Sequence, residues 1–330
     1  MTMKAFEYAS PSTLDLALKA LAAPSSEALS GGTDLLCRMK DDVASPERVV
    51  YLKDVKDLAG VKGSAAEGVT IGAGTLLASV VASEAVKASY PALWQTTLEV
   101  GTPQIRNMAT VGGNLLQRPR CWYFRNGFGL LAMQEGKSLV RLGDNRYHSI
   151  FMTDGDALFT SPSSLAVPLI ALGATATIVG PNGERTLPVE DLYRAPRTDK
   201  QRELTIEPGE ILTKVTIPPA KGKNASYEIR AKQSHDWPIV LASVNLTLEG
   251  ETVSAAKIML YGVAPIPWRS AAAEQALIGK KLSVETAEDA GKAAVKNAQP
   301  LSMNQFKVSL TTTAVKRALL TAGDMKYWEA

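Results

Sequence analysis

Cysteine is nearly absent from this chain of 330 residues, which contains only Cys37 and Cys121. Two cysteines cannot form a disulfide framework, and no C-x-x-C pair occurs, so zinc-ribbon and thioredoxin-like proteins are excluded. Histidine is equally scarce, since His148 and His235 are the only two and lie far apart in the sequence. The G-x-S-x-G, H-E-x-x-H and Walker motifs are missing as well. We therefore expect no catalytic residue and no metal ligand in this chain.

Long runs of one residue class are also missing. No apolar run reaches the about 18 residues of a membrane-spanning helix, so no membrane span is expected. The first residues, MTMKAFEYASP, lack the apolar segment of a signal peptide. The net charge of +3 is small and the basic residues are dispersed, so no nucleic acid is expected as a partner. These features predict a cytoplasmic protein, or a periplasmic one if a signal-bearing partner exports the folded chain.

Two glycine-rich stretches are the most informative part of the sequence. Residues 30–36 read SGGTDLL, and residues 101–114 read GTPQIRNMATVGGN. Adjacent glycines such as Gly112 and Gly113 allow positive φ and let a ligand approach the main chain. Convergent main-chain N–H groups in such loops suit a phosphate or pyrophosphate. A tight turn between packed elements would give the same pattern, so a lone Gly-Gly pair leaves both interpretations open.

A dinucleotide-binding Rossmann unit is the first nucleotide fold to test. The apolar residues 69–71 run into GAGTLL, which resembles a strand followed by a glycine turn and a helix. The fingerprint needs a third glycine, and Leu77 occupies that place. No strand ending in an acidic residue follows about 20 residues later, as the fingerprint requires. The sequence therefore argues against a Rossmann unit.

Four motifs in a fixed order point to a different family. They are SGGTDLL, IGAGT at 71–75, QIRNMATVGGN and EILTKVTIP at 210–218. Together they resemble the flavin-binding medium subunit of the molybdenum hydroxylases, which include xanthine dehydrogenase, carbon monoxide dehydrogenase and aldehyde oxidoreductases. The resemblance covers nearly the whole chain and is strongest to the aldehyde-oxidoreductase flavin-subunit branch.

The resemblance implies an α+β protein with a two-part FAD-binding domain of the vanillyl-alcohol-oxidase type. A smaller α+β domain of the carbon monoxide dehydrogenase flavoprotein type follows, with a three-stranded antiparallel sheet and helices. The composition becomes rich in proline, glycine and lysine at residues 218–224. We therefore expect the domains to span residues 1–220 and 221–330, with an inserted irregular loop at 117–160.

The resemblance also implies which residues contact a non-covalent FAD. They are Leu29, Ser30, Gly31, Gly32, Thr33, Asp34, Leu35, Thr102, Ile105, Arg106, Thr110, Gly112, Gly113, Asn114, Ser164, Leu212 and Lys232. Ser164 replaces an aspartate common in the family, and it could instead cap a helix expected from Ser161 to Leu172. Lys232 could equally be a solvated strand residue, and Arg106 a salt-bridge partner within the loop.

The function that the resemblance implies is electron transfer through FAD within a molybdenum-hydroxylase-type complex. The implied partners are a molybdopterin-binding large subunit, a [2Fe–2S] small subunit and an external acceptor, which could be NAD, a quinone, oxygen or a protein. Two alternatives stay open. One is a free-standing flavin-dependent oxidase or dehydrogenase with its own substrate pocket, and the other is a non-catalytic nucleotide-binding module.

The segment RPRCWYFRNG resembles flavin subunits in which a loop after the second glycine motif binds an extra [4Fe–4S] cluster. Such a cluster needs four ligands, which are overwhelmingly cysteines. Residues 117–160 contain Cys121 as their only cysteine, and His148 cannot make up the number. We therefore predict a flavin-only subunit in which Cys121 is a free thiol and the loop serves packing or partner contact.

Overall fold

The computed structural model describes residues 3–329. Runs rich in valine, isoleucine and threonine form the strands at 48–51, 68–72, 175–180 and 211–217. The strands are β1 (Glu7–Ala9), β2 (Ser26–Leu29), β3 (Arg48–Tyr51), β4 (Val61–Ser64), β5 (Gly68–Gly72), β6 (Met133–Gln134), β7 (Lys137–Ser138), β8 (Thr175–Gly180), β9 (Gly183–Pro188) and β10 (Ile211–Ile217). The helices are α1 (Leu14–Leu21), α2 (Leu35–Lys40), α3 (Leu77–Val81), α4 (Glu84–Ser89), α5 (Pro91–Glu99), α6 (Pro103–Arg106), α7 (Val111–Leu115), α8 (Trp122–Arg125), α9 (Leu139–Leu142) and α10 (Ala166–Ala171).

Two sheets of different type share this part of the chain. The first is parallel, in the order β1-β3-β2, and the second is antiparallel, in the order β4-β5-β10-β8-β9. Alternation over residues 174–179 predicts a strand, and Asn182-Gly183 after it predicts a hairpin. The hairpin is confirmed, because it joins β8 to β9. Strand β5, which precedes the GAGTLL turn, pairs only with antiparallel neighbours. It therefore does not belong to a parallel βαβ unit, which agrees with the argument against a Rossmann fold.

The C-terminal part is a four-stranded antiparallel sheet with three helices packed on it. Its elements are β11 (Lys223–Ile229), β12 (Val240–Glu249), β13 (Thr252–Tyr261), β14 (Trp268–Arg269), α11 (Ala271–Leu277), α12 (Val284–Ala294) and α13 (Phe306–Ala322). Sequence periodicity predicts strands at 226–232, 240–248 and 253–263 and helices at 271–278, 284–298 and 309–322, and the structure confirms all six with shifted ends. The two-residue strand β14 adds a fourth strand at the edge. Helix α12 begins with a capping box between Ser283 and Thr286, which fixes its first turn. The α+β class is confirmed.

The helix predicted from Ser161 to Leu172 is shorter than expected. Helix α10 begins at Ala166, and the Oγ of Ser163 accepts the N–H of Ala166 at 3.2 Å. The Oδ1 of Asn114 accepts from the hydroxyl of Ser163 and from the N–H of Leu165. These bonds hold residues 161–165 in a loop against the second glycine motif. Leu165 is the N-cap residue of α10 and makes no side-chain cap bond, so the capping role left open for Ser164 is not observed.

The 117–160 segment is packed rather than loose, although most of it lies outside regular structure. Helices α8 and α9 and the β6-β7 hairpin are its only regular elements. Phe124, Leu131 and Phe159 are buried together in a small apolar cluster of its own. The N–H of Ile150 bonds to the carbonyl of Val263 at 2.8 Å, which ties the segment to the C-terminal sheet. Within residues 3–329, no helix combines the length and apolarity that crossing a bilayer requires.

Candidate functional site

The first glycine loop connects β2 to α2 and leaves main-chain donors free. Gly32 has a φ of 74°, a conformation that favours glycine. A Cβ on Gly31 would collide with the carbonyl of Met108, so glycine lets the two loops approach each other. Within the part of the chain that the structure describes, no protein acceptor pairs with the N–H groups of Gly31, Gly32 and Thr33. Three successive free donors of this kind suit an anionic oxygen ligand.

The second glycine loop works differently from the prediction. Gly112 and Gly113 lie in the short helix α7, and neither has positive φ. Their N–H groups are already bonded, to the carbonyl of Ala73 at 2.7 Å and to the Oγ1 of Thr110 at 3.1 Å. The expectation that Gly112 and Gly113 offer main-chain donors and positive φ is therefore wrong. Glycine at position 112 instead allows close packing of α7 against Ala73, because a Cβ on Gly112 would lie only 2.9 Å from the Cβ of Ala73.

A direct hydrogen bond joins the two loops. The hydroxyls of Ser30 and Thr110 lie 2.9 Å apart, although 80 residues separate them in sequence. Gly101, at the start of the second motif, has a φ of 54° and ends helix α5, as predicted for a C′ glycine. The loops thus form one wall, held together by short polar side chains rather than by a sheet.

Two clefts run along this wall and meet at Thr33, Gly113 and Gln117. The first, here called the loop cleft, contains about 800 Å³ of empty space, and the second, the ring cleft, about 940 Å³. Predicted residues in the loop cleft are Leu29, Ser30, Gly31, Gly32, Thr33, Asp34, Leu35, Thr110, Gly112, Gly113 and Leu212. Predicted residues in the ring cleft are Thr33, Thr102, Ile105, Gly113, Asn114 and Ser164.

Two predicted residues lie elsewhere. Arg106 lines neither cleft, and its Nη1 donates to the carbonyl of Val100 at 3.1 Å, which stabilises its own loop. Lys232 is exposed and also lines neither cleft. The salt bridge left open for Arg106 does not form within residues 3–329, because its guanidinium group bonds to a main-chain carbonyl instead. Lys232 is solvated, as its alternative expected, but lies in a bend rather than in a strand. Contact of either residue with FAD stays a prediction.

Several lining residues were not predicted from the sequence. Gln117 lines both clefts, and Arg120, His235 and Trp237 line the ring cleft. A signal was present in the sequence, because Gln117 and Arg120 directly follow the second motif and Trp237 ends the AKQSHDW run. Trp237 is 43% exposed, which is high for so large an aromatic side chain. The guanidinium carbon of Arg120 lies 4.8 Å from the centre of its ring, a cation–π contact at the edge of the cleft.

Asp34 connects the first loop to the segment that follows the second. Its carboxylate contacts Arg38 at 3.2 Å, Arg120 at 3.4 Å and Arg125 at 2.7 Å. The Oδ2 atom also accepts the N–H of Arg118 at 3.1 Å. Burial by itself would raise the pKa of Asp34, but the neighbouring guanidinium groups outweigh it and hold the pKa below its ordinary value. Asp34 is therefore an anion that clamps the first loop in place.

Glu228 is the titratable group of the ring cleft with the largest shift. Burial, the largest cause, raises the pKa of Glu228 to about 7, and Arg230 opposes the shift while Glu99 adds to it. Arg230 lies 3.2 Å from Glu228 and 2.6 Å from Glu99, so two carboxylates share one guanidinium group. Near neutral pH this carboxyl is partly protonated, and it could accept or donate a proton.

The residues fit an extended dinucleotide with a planar ring. The loop cleft supplies free N–H groups and glycines with no Cβ in the way, which suits a pyrophosphate. The wider ring cleft supplies Ile105, Val100 and Trp237 as apolar surface and the side-chain amide of Asn114 as a polar contact. No group of three or more histidine, cysteine or acidic side chains within residues 3–329 is arranged to hold a metal ion.

Comparison with known proteins gives consistent matches along the chain. Residues 4–220 match the FAD binding domain in molybdopterin dehydrogenase, and residues 225–322 match the CO dehydrogenase flavoprotein C-terminal domain. The aldehyde oxidoreductase FAD-binding subunit PaoB of Escherichia coli K12 is 29% identical over 97% of this chain and 99% of its own length. The carbon monoxide dehydrogenase medium chain of Afipia carboxidovorans is 29% identical over 84% of this chain and 81% of its own. A solved carbon monoxide dehydrogenase from Hydrogenophaga pseudoflava superposes with a TM-score of 0.76 at 26% identity, covering 98% of this chain and 99% of that one.

Proposed function

The chain belongs to the family of FAD-binding domains found in molybdopterin dehydrogenases, and from this membership we propose that it transfers electrons as one subunit of a larger oxidoreductase. Its cofactor is FAD, and the family consists of flavoprotein components of xanthine, aldehyde and carbon monoxide dehydrogenases. When bound, FAD supplies the redox chemistry, and the protein supplies binding and orientation. Electrons would arrive from a [2Fe–2S] subunit, after substrate oxidation by a molybdopterin subunit, and leave to NAD, a quinone, oxygen or a protein.

The observation that carries this proposal is that the two glycine loops contribute different features to the clefts. The first loop leaves three N–H groups free at the narrow cleft, and the second opens the space where the clefts meet. We propose that the FAD contacts are the predicted residues that line the two clefts, which are all of the predicted set except Arg106 and Lys232. Gln117 is added because it lines both clefts.

A visible spectrum tests the proposal directly. The purified chain should show flavin absorbance that aldehydes or purines alone do not bleach. Bleaching should follow when the molybdopterin and iron–sulfur subunits are added together with the substrate of the complex. A colourless protein that retains no flavin when FAD is supplied would contradict the proposal and support a non-catalytic nucleotide-binding module.

One observation favours the free-standing oxidase as a second candidate. An oxidase needs an acid or base that faces its substrate, and Glu228 in the ring cleft has a pKa raised by burial to about 7. Flavin bleaching by a small substrate in the chain alone would identify this function. Loss of that bleaching in Glu228→Gln, with FAD retained, would assign the proton transfer to Glu228. Its ion pair with Arg230 explains Glu228 equally well as a structural group.

We also propose that the domains meet between residues 220 and 221, as the sequence predicts. Residues 218–222 connect β10 to β11 and form neither helix nor strand. Limited proteolysis of the full chain should cut first within residues 218–224 and yield two stable fragments. First cleavage within the 117–160 segment would place the weakest connection there instead.

A further inference from the structure

A second cavity lies beside the ring cleft and belongs to neither glycine loop. We call it the aromatic cavity, because its lining includes the rings of Trp122, Tyr147, Phe159, Trp237 and Tyr261. About 930 Å³ of space, part of it open to solvent, lies between the 117–160 segment and the C-terminal sheet. Arg120, Asp236, Trp237 and Pro238 line both this cavity and the ring cleft, so the two spaces adjoin at these residues. Flat walls of this kind suit a flat ligand, since aromatic rings stack or meet edge to face.

The charges around the aromatic cavity are mainly positive. Arg120 and Lys307 line it, and Asp236 is the only carboxylate among its described lining residues. Asp34 is an incomplete partner for Arg120, because it lies 3.4 Å away and is shared with Arg38 and Arg125. The Nη2 atom of Arg120 donates to Gln117, whereas its Nε atom has no acceptor within residues 3–329. A guanidinium group placed in this way has bonding capacity left for an anion.

Lys307 is a buried lysine whose ammonium form has no carboxylate partner among the described residues. Only 1% of it is exposed, and its Nζ donates to the carbonyls of Tyr147, His148 and Gly262. These carbonyls satisfy its hydrogens but carry no full negative charge. Burial lowers the pKa of Lys307 to about 7, which reflects the cost of holding an uncompensated charge there. An anion in the cavity would reduce this cost.

The remaining polar wall does not compensate these charges. His148 is buried, and its Nε2 lies 3.2 Å from the Sγ of Cys121. Burial lowers the pKa of His148 to about 4, so its ring is neutral near pH 7. Burial also raises the pKa of the Cys121 thiol, which therefore stays protonated and uncharged. Neither His148 nor Cys121 carries a negative charge that could balance Arg120 and the ammonium form of Lys307.

We propose that the aromatic cavity binds a small aromatic anion, of the class of one- or two-ring aryl carboxylates. The rings would face Trp122 and Trp237, and the carboxylate would approach Arg120 and the buried charge of Lys307. The cavity contains no residue of either glycine loop's SGGT or VGGN motif, so a ligand there would lie next to the proposed FAD site without occupying the loops' contacts.

A matched pair of ligands tests the proposal on the full chain with FAD bound. 2-Naphthoate and its neutral isostere 2-naphthamide have nearly the same shape and differ in charge. Isothermal titration at low ionic strength should show 2-naphthoate binding at least about tenfold more tightly, a difference of about 1.4 kcal/mol. No saturable binding, equal affinity for the two ligands, or release of FAD by 2-naphthoate would each overturn the proposal.

Variants locate the site. Thr160 lines the aromatic cavity but neither cleft, so Thr160→Phe should fill the cavity and weaken 2-naphthoate binding at least about tenfold while FAD occupancy stays unchanged. Arg120→Met should weaken binding comparably. Arg125→Met is its matched control, because Arg125 also pairs with Asp34 but does not line the cavity, and its affinity should stay within about twofold. Wild-type affinity in Thr160→Phe would refute the assignment even if Arg120→Met fails to fold.

Discussion

The ion pairs of Asp34 can be tested by their contribution to the stability of the folded chain. Its side chain is 13% exposed and contacts three guanidinium groups and the N–H of Arg118. Asp34→Asn keeps the shape of the side chain and removes its charge. Removing one member of a buried ion-pair network leaves the others uncompensated, which costs roughly 3–5 kcal/mol. We therefore expect Asp34→Asn to lower the free energy of unfolding by roughly 3 kcal/mol and the Tm by roughly 6–12 °C.

The pH dependence of this contribution has a definite sign. The folded-state pKa of Asp34 lies below its ordinary value, because the arginines outweigh the effect of burial. The stabilisation is therefore fully present above the unfolded-state pKa of about 3.9 and is lost as the pH falls through the folded-state value. The difference between wild type and Asp34→Asn should be constant near neutral pH and shrink in acid.

Urea unfolding of the FAD-free chain, followed by tryptophan fluorescence, is the appropriate assay. Glu7→Gln is the matched control, because Glu7 pairs with Arg48 at 2.6 Å but its side chain is 61% exposed. Exposed pairs contribute only about 0–1 kcal/mol. If Asp34→Asn loses no more stability than Glu7→Gln, the clamp does not exist. If it instead loses only FAD affinity, Asp34 contacts the cofactor rather than the loop scaffold.

Four further predictions follow from the site. Gly113→Val should reduce FAD occupancy at least about tenfold. The Cβ of the valine would lie 3.0 Å from the Oγ1 of Thr110, and its branches would enter the junction of the clefts. Gly155→Val is the control, because the nearest atom to its Cβ is 3.9 Å away, and full flavin absorbance in Gly113→Val would disprove the placement of FAD at this junction. The contribution of Glu228 to stability should fall as the pH rises from about 4.5 to 7, because the raised pKa makes the folded state hold the proton of Glu228 more tightly. His148, whose pKa burial lowers to about 4, has the opposite effect between about pH 4 and 6.5, so the test is the difference between wild type and Glu228→Gln. In urea titrations this difference should change with pH over that range, and a constant difference would exclude Glu228 as a source of pH dependence. Iron and acid-labile sulfide should be near zero, and Cys121→Ser should change neither; about four of each per chain would indicate a cluster. Acid precipitation should release all FAD into the supernatant, and flavin remaining with the pellet would indicate a covalent link.

The sequence was sufficient for the fold because the relevant signals are local. Alternation predicted β8, the Asn182-Gly183 pair predicted the hairpin, and the long strands and helices after residue 224 have clear periodicity. The same signals missed the start of α10. Its boundary depends on Asn114, whose Oδ1 atom accepts from Ser163 and Leu165 about 50 residues away. A bond of that kind leaves no trace in local propensity.

Contacts between residues far apart in sequence limit the prediction of the site even more than that of the fold. Most of the residues predicted to contact FAD line the two clefts, since glycine motifs mark where the main chain is approached closely, and their contact with FAD stays a prediction. It missed Arg120 and Trp237, which reach the ring cleft from segments 117 residues apart and meet only in the folded chain. It also could not assign the carboxylate of Asp34 to the arginines, because three of its contacts come from the segment after the second motif.

The two glycine pairs explain why one dipeptide can have two physical roles. Gly31-Gly32 lies in an open loop, where Gly32 adopts positive φ and successive N–H groups remain free. Gly112-Gly113 lies in a helical turn, where ordinary φ values direct the N–H groups to Ala73 and Thr110. The first pair provides free main-chain N–H donors, and the second pair provides space because it has no side chains. Alanine at Gly113 would therefore be less harmful than at Gly32, because only the φ of 74° at Gly32 is strained for any residue with a Cβ.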